Sequence, residues 1–260
     1  DQLAARMHKA IAIMQFNLEG QLIKEHPEFD LDKRLLLEKI DFENGTVNVE
    51  GTVYPLNDTF FPTIDPNNPY ELTEDERAVM NSLSASIINS ERLQTHIRYM
   101  FSHGALYKRI NGNLLFHGCI PIDENGDFLP VDIYGAKCAG RALMDHLDKH
   151  IRASYFSPEK IKKYGKPGDL MWYLWLAKDS PLFGKEKMTT FERLFIDDKA
   201  SHKEHVRPYY KLINSKEPCE KILREFGLDP SHSKILNGLV PVKIKNGERP
   251  IKGGGLLYVI

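Results

Sequence analysis

Ala105-Leu106-Tyr107-Lys108-Arg109-Ile110, then Asn111-Gly112, then Asn113-Leu114-Leu115-Phe116-His117-Gly118-Cys119-Ile120-Pro121-Ile122 is the stretch on which the fold turns. Two apolar runs joined by Asn-Gly read as a β-hairpin, because both turn positions require positive φ and these residues tolerate it. The second run, Asn113–Ile122, is apolar enough for a core strand. It delivers a histidine followed at once by glycine, as many α/β enzymes do at the carboxyl edge of a sheet. Ile235–Ile244 has the same build, broken at Asn237-Gly238, and Leu256–Ile260 is a third apolar run. The three are expected to share one β layer, with the intervening helices an excursion from it at about 136–230.

Outward from this core the patterns are local and mostly helical. Leu3, Met7, Ala10, Ile11, Met14, Leu18, Leu22 and Ile23 recur at helical spacing until Pro27 stops them. Leu31–Ile40 carries a shorter helical pattern. Thr46–Val49 and Thr52–Leu56 read as a small hairpin about Glu50-Gly51. Phe60–Pro69 is a proline-rich connection whose two aromatics, Phe60 and Phe61, are expected to pack down on the body. Thr73 and Glu76 form a capping box for a helix to Asn89, and another helix covers Ser90–Met100. Further helices are expected at Ala136–Ala153, Ser157–Tyr164, Asp169–Leu176, Phe191–Phe195 and Pro218–Phe226. The division is thus a mainly helical region at 1–102 and an α/β region at 103–260.

Composition narrows the function classes. The chain has 260 residues, 42% hydrophobic and 27% charged, with mean hydropathy −0.40. No apolar run approaches the roughly 18 to 20 residues of a spanning helix. Three scattered cysteines, with no CxxC, argue against a disulfide framework or a zinc knot and make a reducing cytoplasm the default. Net charge is −1, yet residues 1–130 hold 11 Lys and Arg against 20 Asp and Glu, and residues 131–260 hold 24 against 16. That asymmetry of −9 against +8 fits either two complementary halves or an anionic ligand held by the second half. No arginine-rich stripe points to nucleic acid.

Few residues announce chemistry. His117 at a strand end is a candidate metal ligand or base, although strand-end histidines are structural in most proteins. Cys119 reads as a small buried hydrophobe. His202 and His205 flank Glu204 at a spacing that can hold a metal, but among Asp197, Asp198, Lys199 and Lys203 a solvated helix end is the simpler reading. Asn237, at the other strand tip, is not ionisable, and no chemistry follows from it. Phosphate-loop, nucleophile-elbow and dinucleotide glycine patterns are all missing.

Several motifs together are more specific. Phe101-Ser102-His103-Gly104 and Asn113–Pro121 resemble the class III fructose-1,6-bisphosphatases, the bacterial metallophosphoesterase type. So do Met171-Trp172-Tyr173-Leu174-Trp175, Ser180–Lys185, Met188–Arg193 and Pro208-Tyr209-Tyr210. Gln15–Gln21, Phe61–Asp65, Asn237-Gly238 and Pro241-Val242-Lys243 resemble the family as well. The resemblance implies part of a metallophosphoesterase-type α/β sheet core flanked by helices, a sugar phosphate substrate, and hydrolysis of the C1 phosphate of fructose 1,6-bisphosphate in the cytoplasm. It also implies manganese and allows a homo-oligomer; no membrane and no nucleic acid enter. The family's Asp-x-His, Gly-Asp-x-x-Asp-Arg and Gly-Asn-His motifs do not occur in this sequence. Of its two later histidine ligands the resemblance places one at His117, while the second position is Leu239, whose isobutyl group cannot ligate. The expectation is a piece of a longer enzyme, its middle-to-later portion, holding no metal and inactive alone. That the chain starts without Met and ends on an apolar run agrees with this. The alternative is a non-catalytic binding or assembly module on the same scaffold.

Overall fold

Helix α1 (Gln2–Glu25) realises the first apolar repeat, and Ile13, Phe16, Leu22 and Ile23 on it are buried. Leu3, Met7 and Ile11 continue that stripe but remain more than half exposed. A computed structural model describes residues 2–260 and resolves the chain into two units. The first is the chain up to Ser102 with Thr189–Lys203; the second is His103–Met188 with Glu204–Ile260.

Within the first unit, the helix expected at Leu31–Ile40 does not form. Three 3-10 turns, Pro27–Phe29, Asp32–Arg34 and Leu37–Lys39, take its place. The cause is the consecutive run Leu35, Leu36 and Leu37, all buried. An α-helix turns about 100° per residue and cannot bury three successive side chains on one stripe. The chain then enters a three-stranded antiparallel sheet of β1 (Ile40–Asp41), β2 (Thr46–Val49) and β3 (Thr52–Pro55). Glu50 and Gly51 turn the β2–β3 hairpin with φ of 52° and 91°. Of the two aromatics in the proline-rich connection only Phe61 packs down, against Phe195; Phe60 is 72% exposed. Helix α2 (Glu74–Ile88) starts on the capping box: the Glu76 N–H donates to Thr73 Oγ1 at 3.2 Å, and the Thr73 N–H donates to Glu76 Oε2 at 2.8 Å. Helix α3 (Glu91–His103) follows. The short helix Thr190–Phe195 is tied in by its fully buried Glu192, which accepts two hydrogen bonds from the Arg34 guanidinium at 2.7 and 2.9 Å.

The second unit is built on a five-stranded sheet. Its first hairpin is β4 (Tyr107–Ile110) and β5 (Asn113–Phe116), with Asn111 and Gly112 at φ of 50° and 74° in the turn. A second hairpin, β6 (Val131–Ile133) and β7 (Ala136–Cys138), occupies the place where a helix was expected to begin at Ala136. Val131 and Ile133 alternate with exposed Asp132, a period of two that the short run hid. Helix α4 (Gly140–Phe156) begins after it. The expected Ser157–Tyr164 helix is two 3-10 turns, Pro158–Lys160 and Lys162–Tyr164, and Ser157 makes no side-chain cap. Helix α5 (Asp169–Leu176) and the helix Lys216–Glu225, closed by Gly227, lie where expected.

The remaining strands are β8 (Ile235–Asn237), β9 (Ile251–Lys252) and β10 (Leu257–Val259), in the order β4-β5-β8-β10-β9. The β5–β8 and β8–β10 pairs are parallel and the outer two antiparallel. The three apolar runs thus share one sheet, through strands shorter than expected. β5 stops at Phe116 because the next backbone groups bond elsewhere: the Cys119 N–H donates to Pro181 O at 2.9 Å. β8 stops at Asn237, and the segment beyond it runs through the 3-10 turn Ile244–Asn246 to β9, a strand the sequence did not suggest. The architecture is mixed α/β with open sheets. No helix among the described residues is long and apolar enough to cross a membrane.

Candidate functional site

Because β5 and β8 are parallel neighbours, their carboxyl ends emerge side by side, where open α/β sheets bind ligands. His117 leaves β5 there, and its backbone oxygen accepts from the Gly238 N–H at 2.8 Å. Asn237, the last residue of β8, is only 1% exposed. Its Nδ2 donates to Gly118 O at 2.9 Å and to the Tyr209 hydroxyl at 3.0 Å, while its Oδ1 has no partner. This amide locks the two strand tips together. Gly118 must be glycine: a Cβ there would stand 2.5 Å from the Pro181 carbonyl oxygen. Leu239 has φ of 67°, a left-handed conformation rare for a bulky residue.

His117 and Leu239 line one cavity of about 430 Å³, with Met171, Trp175, Phe183 and Lys185 among its other walls. The His117 side chain is exposed, and no hydrogen bond to it occurs among the described residues. An exposed ring can satisfy itself with water, so it carries none of the cost of a buried orphan. Lys185 turns its ammonium to Glu204 Oε2 at 2.8 Å. This lining does not fit a divalent ion. It supplies one imidazole, two thioethers from Met171 and Met188, and one cation, whereas such ions are held by several imidazole, carboxylate or thiolate groups. Position 239 contributes hydrocarbon.

The other sequence candidates do not join this cavity. Cys119 is 2% exposed, its thiol directed to Ser180 O at 3.7 Å, and burial pushes its pKa up to about 12. It is an inert core thiol. His202 donates from Nε2 to the Ile196 backbone oxygen at 2.7 Å, which commits that nitrogen to structure. The stretch from His202 to His205 is turn and irregular chain, not a helix end. Sequence reasoning passed over Asn237 and Tyr209, the residues that fix the strand tips. The signal available was an Asn-Gly step closing an apolar strand, but the partner Tyr209 is 28 residues away.

Comparison with known proteins places the chain. A family model described as Firmicute fructose-1,6-bisphosphatase matches residues 1–260. The chain is 54% identical over 259 residues to the class 3 fructose-1,6-bisphosphatase of Clostridium acetobutylicum, covering 100% of this chain and 39% of that protein. It is 53% identical over 260 residues to the class 3 fructose-1,6-bisphosphatase of Clostridium tetani, covering 99% of this chain and 39% of that protein. It is 50% identical over 260 residues to that of Clostridium novyi, with the same coverage. The chain therefore spans about two fifths of the length of these curated relatives. No solved structure matches it. With the family model matched from end to end, the chain belongs to the Firmicute fructose-1,6-bisphosphatase family.

Proposed function

We propose that this chain is a segment of a metal-dependent fructose-1,6-bisphosphatase, hydrolysing the C1 phosphate of fructose 1,6-bisphosphate in cytoplasmic gluconeogenesis, and that alone it is catalytically incomplete. One observation carries the reading: His117 and Leu239 line the same cavity. They are the two positions at which the family resemblance implies histidine ligands, and they are 122 positions apart in sequence. The five-stranded sheet is then the later part of a metallophosphoesterase-type core, and manganese is the metal of the complete enzyme. Bound metal would supply an activated water and charge stabilisation at phosphorus. Because the cavity lining does not fit an ion, no catalytic step runs through this chain's cavity. The chain's contribution is positional: the Asn237 amide and the Gly238–His117 hydrogen bond fix where the imidazole stands.

A second reading, a non-catalytic binding or assembly module on the same scaffold, is favoured by Leu239 alone. The substitution Leu239→His tests the assignment. Histidine accepts the left-handed backbone better than leucine does, and the change places two imidazoles in one cavity. Calorimetric titration is expected to show tighter manganese or zinc binding than by the unmodified chain, with the gain abolished by His117→Ala and no phosphatase activity restored. Equal metal affinity in the variant and the unmodified chain would overturn the assignment. Tight, His117-dependent manganese binding by the unmodified chain would overturn its incompleteness.

A further inference from the structure

Asn-Gly steps occur at Asn44, Asn111, Asn125, Asn237 and Asn246. Each is open in principle to one intramolecular reaction, attack by the glycine backbone nitrogen on the asparagine side-chain amide carbon. Glycine puts no Cβ in the way of that attack. The attacking form is the deprotonated nitrogen, so an N–H held in a hydrogen bond, or an anchored side-chain amide, slows the step.

The fold separates the five. The Gly126 N–H donates to Asp123 O at 3.0 Å, the Gly238 N–H to His117 O at 2.8 Å and the Gly247 N–H to Ile244 O at 2.9 Å. Asn237 is also buried. At the remaining turn in the first unit, Asn44 Nδ2 donates to Asp41 Oδ2 at 2.7 Å, and a Cβ on Gly45 would stand 2.9 Å from Thr59 Cγ2. That amide is anchored and its glycine packed. Asn111 and Gly112 differ on every count. Both are exposed, and a Cβ on Gly112 would meet nothing within 4 Å. Among the described residues neither the Gly112 N–H nor the Asn111 side-chain amide makes a hydrogen bond.

A neighbour primes the same step. Asn113 Oδ1 accepts from the Lys234 N–H at 2.8 Å, which sets the orientation of its amide, and its Nδ2 donates to the Asn111 backbone oxygen at 3.2 Å. That oxygen belongs to the Asn111–Gly112 peptide group. A donor there stabilises the negative charge the group takes on when its N–H ionises.

We propose that Asn111-Gly112 is a self-modification site, at which the folded chain converts asparagine to aspartate and isoaspartate. The Gly112 nitrogen, its proton lost to solvent, forms a bond to Asn111 Cγ; the Cγ–Nδ2 bond breaks, and the leaving nitrogen takes a proton from water and departs as ammonia. Water then opens the cyclic imide. Cleavage between Gly112 N and Cγ gives aspartate. Cleavage between Gly112 N and the Asn111 backbone carbonyl carbon gives isoaspartate, whose main chain runs through the side-chain carbon. Either product places a new carboxylate in the turn beside β4, the strand at the edge of the sheet.

Incubation of the folded chain at mildly alkaline pH, sampled over days and read by tandem mass spectrometry, tests this. The tryptic peptide 110–137 holds both Asn111 and Asn125, so one peptide carries the comparison. Asn111 is expected to convert about tenfold faster or more than the other four, each of which must first break a hydrogen bond or shed packing. In concentrated urea all five are expected to convert at comparable rates. Asn111→Gly suits the positive φ of the turn, and is expected to remove the first acidic species seen on isoelectric focusing. Asn113→Asp keeps the acceptor for the Lys234 N–H but loses the donor, and is expected to slow conversion at Asn111 severalfold. Conversion at Asn111 no faster than at Asn125 in the folded chain overturns the proposal, as does the same preference persisting in urea. An unchanged rate in Asn113→Asp overturns the role of Asn113 alone.

Discussion

β5 and β8 lie side by side and are built alike, each an apolar strand closed by a polar residue and a glycine. At the end of β5, His117 is exposed beside an apolar cavity and its side chain hydrogen-bonds to no described residue. At the end of β8, Asn237 is buried and joins three segments through Gly118, Tyr209 and its own strand. The residue with titratable chemistry contributes little to the fold, and the neutral amide beside it holds the geometry on which that chemistry would depend. Position in a site and support of a site are thus separate jobs, divided between adjacent strand ends.

Substitutions can erase that contrast. Asn237→Ala is expected to have the largest effect: it removes two buried hydrogen bonds and leaves Gly118 O and the Tyr209 hydroxyl unpaired. The loss should be about 2–4 kcal/mol, read as a shift of the urea midpoint without a change in slope. A loss below about 0.5 kcal/mol would remove Asn237 from its supporting role.

Alkaline pH probes the packing just behind the β5 tip. Burial lifts the Cys119 thiol from an ordinary value of 9.0 to about 12, so folding favours its protonated form. The stability this contributes is complete below pH 9 and is lost as pH rises toward 12. The Tyr209 phenol, also pushed above its ordinary 10.0 by burial, adds to the same loss at higher pH. Unfolding midpoints measured from pH 8 to 11 should fall, and Cys119→Ala should flatten the part of the fall that begins near pH 9. A parallel fall in the variant would show that the thiol is not responsible.

The smallest effect is expected at the residue with the most suggestive chemistry. His117→Ala should change stability by no more than about 0.5 kcal/mol, as for an exposed side chain without partners. A destabilisation approaching that of Asn237→Ala would make the two tips equivalent supports.

The same division explains how much was legible in the sequence. The capping box at Thr73 and the Asn111-Gly112 hairpin were readable because all their partners lie within a few residues. His117 stood out by residue type at a strand end, and the significance of Leu239 came from family resemblance rather than from periodicity. Asn237 was passed over because its partners lie 28 and 119 residues away, and an amide shows its role only once those partners are placed. The helix expected at Leu31–Ile40 failed for a related reason: whether three consecutive leucines are all buried depends on what surrounds them. β9 and the β6–β7 hairpin are two or three residues per strand, too short for any period to show.

On the reading proposed above, this member of the fructose-1,6-bisphosphatase family carries a supported strand tip without the groups needed for turnover. Phosphate release from fructose 1,6-bisphosphate by the purified chain, with and without manganese, is the decisive measurement. Background rates are expected under both conditions, because one imidazole beside a leucine neither holds an ion nor activates water. Manganese-dependent turnover on the order of 1 s⁻¹ or more, a rate typical of enzymes, would contradict it.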